Sequence, residues 1–193
     1  MASSSNGLLA QVSTAHLVSH LHIMAVPAML PLLPTAMQVS FVELGIAIGV
    51  FNIVSALVQA PLGFLVDRAG ARRMLLAALA LGSLSFSLLA IFPTYLCLLV
   101  AMGLAGLANG VYHPADYSLL SRGIVPERMG RAFSIHTFAG FLGAALAPPL
   151  MVGVALAWEP RWSFAIAAVA GLIGLFVVGL GSPEPAKVAS PTA

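Results

Sequence analysis

Gly63-Phe64-Leu65-Val66-Asp67-Arg68-Ala69-Gly70-Ala71-Arg72-Arg73 is the stretch on which the architecture turns. Its second half is charged, and apolar runs flank it on both sides, Phe41–Val66 and Met74–Phe92. A run of ~20 apolar residues crosses a bilayer as a helix at ~1.5 Å per residue. A charged link between two such runs reads as a turn at a membrane surface. Gly70 suits that turn, because a residue without Cβ tolerates positive φ.

Outward from this link, four further apolar segments have the length of a span: Leu8–Leu33, Tyr95–Leu120, Ala132–Ala157 and Trp162–Leu180. The composition agrees. Of 193 residues, 60% are apolar and 7% charged, against ~25% charged in a soluble domain. The mean hydropathy is +1.03. The expectation is an all-α polytopic membrane protein, with six transmembrane helices over residues 1–180. Residues 181–193 begin Gly-Ser-Pro-Glu-Pro-Ala-Lys, cannot span, and read as a disordered cytoplasmic tail or the start of a linker. The N-terminus lacks a basic leader and a small-residue cleavage site, so its apolar stretch reads as a retained first span.

Lys and Arg in short loops set orientation. Arg68, Arg72, Arg73, Arg122, Arg128, Arg131 and Lys187 fall on one side and Arg161 on the other, seven of the eight basic residues against one. Both termini are therefore expected in the cytoplasm. A net charge of +2 resting on so few cations gives no reason to expect nucleic acid. The single Cys97 excludes an internal disulfide, and no metal site or cofactor is expected. Gly45 and Gly49 form one small-residue face, and Gly103, Gly106 and Gly110 another. Both read as seams where helices approach closely in lipid. Pro27, Pro31, Pro61, Pro114, Pro148 and Pro149 fall within spans and are expected to kink them.

The stretch at 63–73 resembles the loop signature of the major facilitator superfamily, through Gly63, Leu65, Asp67, Arg68, Gly70 and Arg72, with Arg73 and Leu75 following. It also lies between the second and third spans on the basic side, as in that family. Asn109-Gly110-Val111-Tyr112-His113-Pro114-Ala115-Asp116 and His136-Thr137-Phe138-Ala139-Gly140-Phe141-Leu142-Gly143 look like bacterial drug-efflux members related to the fosmidomycin resistance exporter. Gly143 and Pro148 fit part of the family's antiporter signature, with Ala147 in place of its last glycine. The intramembrane Arg usual in the fourth span is absent.

The resemblance implies one half of the family fold, two inverted three-helix repeats, in a plasma or bacterial inner membrane. It implies secondary transport of a small solute by alternating access, with proton-coupled efflux. The 63–73 stretch would be a cytoplasmic gate, with Asp67 pairing to Arg68 or Arg72 or facing a helix N-terminus. Partners would be the lipid bilayer, a small-molecule substrate and a second six-helix half, either a missing continuation or another copy.

Ionisable residues inside spans are costly and usually face a cavity or a partner. His16 and His20 lie one turn apart on the first span, with His22 pointing elsewhere. His113 and Asp116 share a face of the fourth. His113 and Asp116 are expected to form a protonatable pair, helped by His20 or His136. The competing reading makes Asp116 a gate partner for Arg68 or Arg72. For His16 and His22, a structural hydrogen bond to a neighbouring helix is expected. Asn109 is placed on the path as well, with helix–helix hydrogen bonding as its simpler role. No enzyme motif is present: there is no H-E-x-x-H, G-x-S-x-G or phosphate loop. The rival readings are a non-transporting or half-size product that needs a partner half, and a membrane haem or redox protein ligated by the histidines.

Overall fold

The computed structural model describes residues 2–181, with side chains from residue 5 onward. The expected tail and Lys187 lie almost wholly outside those residues. Seven helices follow one another: α1 (Ala2–Ala28), α2 (Leu33–Met37), α3 (Phe41–Ala69), α4 (Ala71–Ile91), α5 (Tyr95–Gly123), α6 (Pro126–Ala157) and α7 (Pro160–Gly179). Among the described residues there is no strand.

The connections are shorter than the sequence implies. Asp67–Arg73 reads as a loop, yet only Gly70 lies outside a helix, at φ 97° and ψ 133°. Gly70 closes α3 by donating its N–H to the Val66 carbonyl and is also the residue preceding α4. The expected loop Ser121–Arg131 shrinks to Ile124 and Val125, since α5 runs to Gly123 and Pro126 opens α6. Proline suits that first position, where its missing N–H would have no helical partner. The first span also differs. Its helix starts at Ala2 and stops at Ala28, and a turn at Met29–Leu32 carries the chain into α2. Pro27 and Pro31 account for that break, whereas Pro61, Pro114, Pro148 and Pro149 remain inside long helices.

The opposite ends are capped by side chains. Ser40 and Glu43 form a reciprocal capping box at the start of α3, and the Thr94 hydroxyl accepts from the Cys97 N–H at the start of α5. Arg161 stacks over Trp162, 5.0 Å from its ring centroid, beside the exposed Trp158. Aromatic rings with a polar edge settle at the membrane–water boundary.

Helices α3, α4, α5, α6 and α7 are each long and apolar enough to cross a membrane. Large side chains such as Ile46, Leu57, Phe64, Leu96, Phe141 and Phe176 lie exposed on them. The chain is an integral membrane protein. Helix α1 has the length, 27 residues, but Gln11, Ser13, Thr14, His16, Ser19, His20 and His22 make it more polar than the other five. It packs against α5, α6 and α7.

The packing has an internal symmetry. Exchanging α1 with α5, α3 with α6 and α4 with α7 carries the α1–α6 interface onto α3–α5, and α4–α5 onto α1–α7, while α4–α7 maps onto itself. Each of the first two interfaces contains a glycine pressed on backbone. A Cβ on Gly106 of α5 would strike the Phe51 carbonyl of α3, and one on Gly143 of α6 would strike the Leu17 carbonyl of α1. The 103–106–110 seam thus packs on α3, where Gly110 also abuts Val58 and Ser55. The Gly45–Gly49 face does not form its expected seam: a Cβ at either position would meet nothing within 4 Å.

A buried carboxylate–imidazole cluster

Asp116 is fully buried on α5, ~10 Å of helix from Gly123 at 1.5 Å per residue. One of its oxygens, Oδ2, lies 3.1 Å from Nε2 of His136 on α6 and 3.6 Å from Nδ1 of His16 on α1. Three helices therefore meet at one carboxylate. The rings of His16 and His136 stack with centroids 3.8 Å apart and planes inclined by 17°. His20 presents its ring to His16 at 4.5 Å and His113 does so at 5.3 Å. Tyr117 borders the group, its ring 5.6 Å from His113 and 5.9 Å from His136.

The sequence makes room for this assembly at Gly140. A Cβ there would fall 2.6 Å from His16 Nε2 and 3.1 Å from a His20 ring carbon. The cluster is polar but incompletely bonded. Asp116 Oδ1, His16 Nδ1 and His113 Nδ1 are buried with no hydrogen-bond partner. Orphaned buried polar atoms are rare because each forfeits its hydration.

Several expectations change here. His113 is not the partner of Asp116; His136 and His16 hold its carboxylate, and His113 packs edge-on against His16 instead. The spacing of three on α5 puts His113 and Asp116 on neighbouring positions, but Asp116 turns toward α1 and α6. Its neighbours are imidazoles, not the arginines that the gate reading required. His16, expected to make a structural bond, belongs to the cluster. The signal for it was available in the one-turn spacing to His20 and in the small residues of α6. His22 does lie apart, with Nε2 donating to the Ala167 carbonyl at 2.9 Å and its ring against Phe86. Asn109 donates to the Ser55 hydroxyl at 2.8 Å, linking α5 to α3.

The 63–73 stretch builds a separate set of contacts at the arginine-bearing end. Asp67 pairs with Arg122, 3.5 Å away at the end of α5, where Arg68 or Arg72 was expected. Arg72 turns inward, donating to the Val178 carbonyl at 2.6 Å and to Gln11 Oε1 at 3.0 Å. It thereby ties α4 to α7 and α1. Arg128 reaches back to Ser5 and to Asn6 Oδ1, the latter at 2.7 Å. Arg68, Arg73 and Leu65 are exposed. Gly63 faces Pro114, but a Cβ there would make only ordinary contact at 3.9 Å, so close approach does not explain it. Pro148 is half-buried on α6.

Comparison with known proteins settles the lineage. The sequence profile of the Major Facilitator Superfamily matches residues 12–193. The chain belongs to that superfamily. The chain is similar to the Fosmidomycin resistance protein of Escherichia coli, at 27% identity over 177 residues, 92% of this chain and 43% of that protein. The "Probable anion transporter 5" of Arabidopsis thaliana is 32% identical over 130 residues, 67% of this chain and 30% of its own length. A Multidrug resistance protein B homolog of Mycobacterium tuberculosis is 27% identical over 128 residues, 66% of this chain and 24% of that protein. Among solved structures, a bacterial homologue of the lysosomal transporter Spinster, in an inward-facing, unoccupied conformation, superposes with a TM-score of 0.81 at 16% identity. That match covers 98% of this chain and 46% of the other, and it shows the shared fold. The chain thus spans less than half the length of these relatives. As a Major Facilitator Superfamily member, it belongs to a family of transporters and not of enzymes.

Proposed function

We propose that this chain is the N-terminal bundle of a secondary active transporter that moves a small solute out of the cell by alternating access, in exchange for protons. It works in the bacterial inner membrane with both termini in the cytoplasm. Its partner is a second six-helix half, supplied by a continuation of the chain or by another copy. The observation that carries the transport reading is the meeting of Asp116, His16 and His136 at the junction of α1, α5 and α6. Ionisable groups buried in a membrane bundle are costly, and their convergence from three separate helices supports a solute or ion pathway there. Gly143 and Pro148 on α6 support exchange for protons, through their partial match to the antiporter signature. Outward transport is supported by relatives named for drug resistance. The gate belongs at the Asp67–Arg122 pair and the Gly70 turn, where α3 and α5 end and α4 begins. The haem reading has little room, since the His16 and His136 rings stack at 3.8 Å and leave no gap for a macrocycle.

Inverted membrane vesicles carrying the assembled transporter, this bundle together with its second half, test this reading. With an imposed proton gradient, adding fosmidomycin or a cationic dye such as ethidium is expected to release protons, and Asp116→Asn to suppress the release. Proton release that is undiminished in both Asp116→Asn and His136→Gln removes the cluster from the mechanism.

A further inference from the structure

We propose that His16, Asp116 and His136 form a binding site for a divalent transition-metal ion of the Zn²⁺ or Co²⁺ kind. The three donor atoms all lie within 4.8 Å of one another, and all three residues are buried. A tetrahedral zinc site with bonds of ~2.0–2.1 Å has edges of about 3.3 Å. The two distances that run from the shared carboxylate oxygen, 3.1 and 3.6 Å, bracket that edge. The His16 and His136 rings stack at 3.8 Å with planes 17° apart, so one of them has to rotate about its Cβ–Cγ bond to bring its in-plane lone pair onto the ion and complete a three-ligand face.

The bonding deficits point the same way. Asp116 Oδ1 and His16 Nδ1 are buried without a hydrogen-bond partner, so a carboxylate lone pair and an imidazole nitrogen go unused at one spot. A cation bound at Asp116 Oδ2 would take up the His16 nitrogen, and Asp116 Oδ1 would join it through bidentate coordination. Three protein ligands leave the fourth tetrahedral position to a water molecule. Two imidazoles and a carboxylate form a borderline donor set, which favours Zn²⁺, Co²⁺ or Ni²⁺ over Mg²⁺ and Ca²⁺, whose usual shells are oxygen only. Metal binding is a property of this bundle alone; that the ion is the cargo rests on the transport reading above.

The test uses the full chain, purified in detergent on an affinity tag free of histidine, and Co²⁺ as the probe. One equivalent is expected to give the intense visible d–d absorption of a tetrahedral N/O site. Zn²⁺ should abolish the band and a ~100-fold excess of Mg²⁺ should not. Asp116→Asn and His136→Gln should each weaken Co²⁺ binding by at least about tenfold, the scale of lost ligand support at metal sites. Cys97→Ser should leave it unchanged. Because either cluster variant can disturb folding, X-ray absorption on the Zn²⁺-loaded wild-type chain supplies a second readout, a nitrogen and oxygen shell at ~2.0–2.1 Å with imidazole scattering. Absence of saturable Co²⁺ binding, a sulfur shell, or a band unaltered in both cluster variants overturns the proposal. Co²⁺ binding without Zn²⁺ flux into proteoliposomes overturns the ion as cargo and leaves the site standing; the transport reading is tested separately, by solute-driven proton release.

Discussion

Gly143 of α6 sits directly against the backbone of Leu17 in α1, so close that a Cβ at residue 143 would overlap the Leu17 carbonyl oxygen. The contact lies one residue from His16, and it fixes how deeply α1 beds into α6. Gly106 and Phe51 make the equivalent contact between α5 and α3.

Gly143→Ala and Gly106→Ala are therefore expected to destabilise the bundle by ~1–3 kcal/mol each, the usual cost of overpacking. Gly45→Ala and Gly49→Ala, where a Cβ meets open space, should be neutral. Thermal denaturation of the detergent-solubilised chain, followed by size-exclusion chromatography, separates the two pairs. Equal losses at all four positions would show that close approach to Leu17 and Phe51 does not set their role, since helix propensity alone favours alanine over glycine at each of them.

Gly70→Val puts a β-branched side chain at φ 97°, a conformation it rarely adopts. A loss of ~1–3 kcal/mol is expected. Gly70→Asn should also destabilise, since Asn accepts positive φ mainly in the αL region and ψ is 133° here. Comparing expression and melting of the two variants checks the sign.

Asp116 and His136 are predicted to be energetically coupled. Removing one partner of a buried hydrogen bond strands the other, so His136→Leu should cost ~1–3 kcal/mol. Asp116→Leu with His136→Leu together should cost less than the sum of the single changes. A double-mutant cycle on thermal stability is expected to return a coupling of ~0.5–3 kcal/mol. A coupling near zero would mean that their 3.1 Å contact contributes no net energy.

Arg72 and Asp67 should behave differently although both belong to the 63–73 stretch. Arg72→Ala loses bonds to Val178 and Gln11 across three helices, and bonds from a charged donor are worth ~1.5–3 kcal/mol. The Asp67 carboxylate is 59% exposed, and its pair with Arg122 is a surface pair worth ~0–1 kcal/mol. Asp67→Asn should therefore leave the melting temperature almost unchanged while altering transport. Measuring both quantities on both variants checks the division.

In a Cys97→Ser background, a membrane-impermeant maleimide added to intact cells should label Thr94→Cys and spare Val125→Cys. Those positions lie at opposite ends of α5. The reverse pattern would invert the orientation and place the 63–73 stretch outside the cell.

The helices were legible because hydropathy runs are long and the bilayer fixes their length. Turns were read less well. A charged stretch such as Ser121–Arg131 scores as a loop, yet arginines extend helices beyond the lipid at little cost, so α5 and α6 run almost into each other. Packing faces were read correctly where glycines met a helix, at Gly103–Gly110, and wrongly at Gly45–Gly49, since spacing alone does not say which face finds a neighbour. Asp116, His20, His113 and His136 were picked out by their cost inside a span. Their pairing was not, because the meeting of α1, α5 and α6 is a tertiary fact. Residues 16, 116 and 136 carry no shared spacing in the chain.

Backbone seated on backbone at both pseudo-equivalent interfaces leaves the bundle without a soft joint between α1 and α6 or between α3 and α5. A rocking motion then has to be taken up where this bundle meets its counterpart. The buried cluster would ride as a fixed passenger seat, and what alternates would be the door beside it, not the shape of the seat.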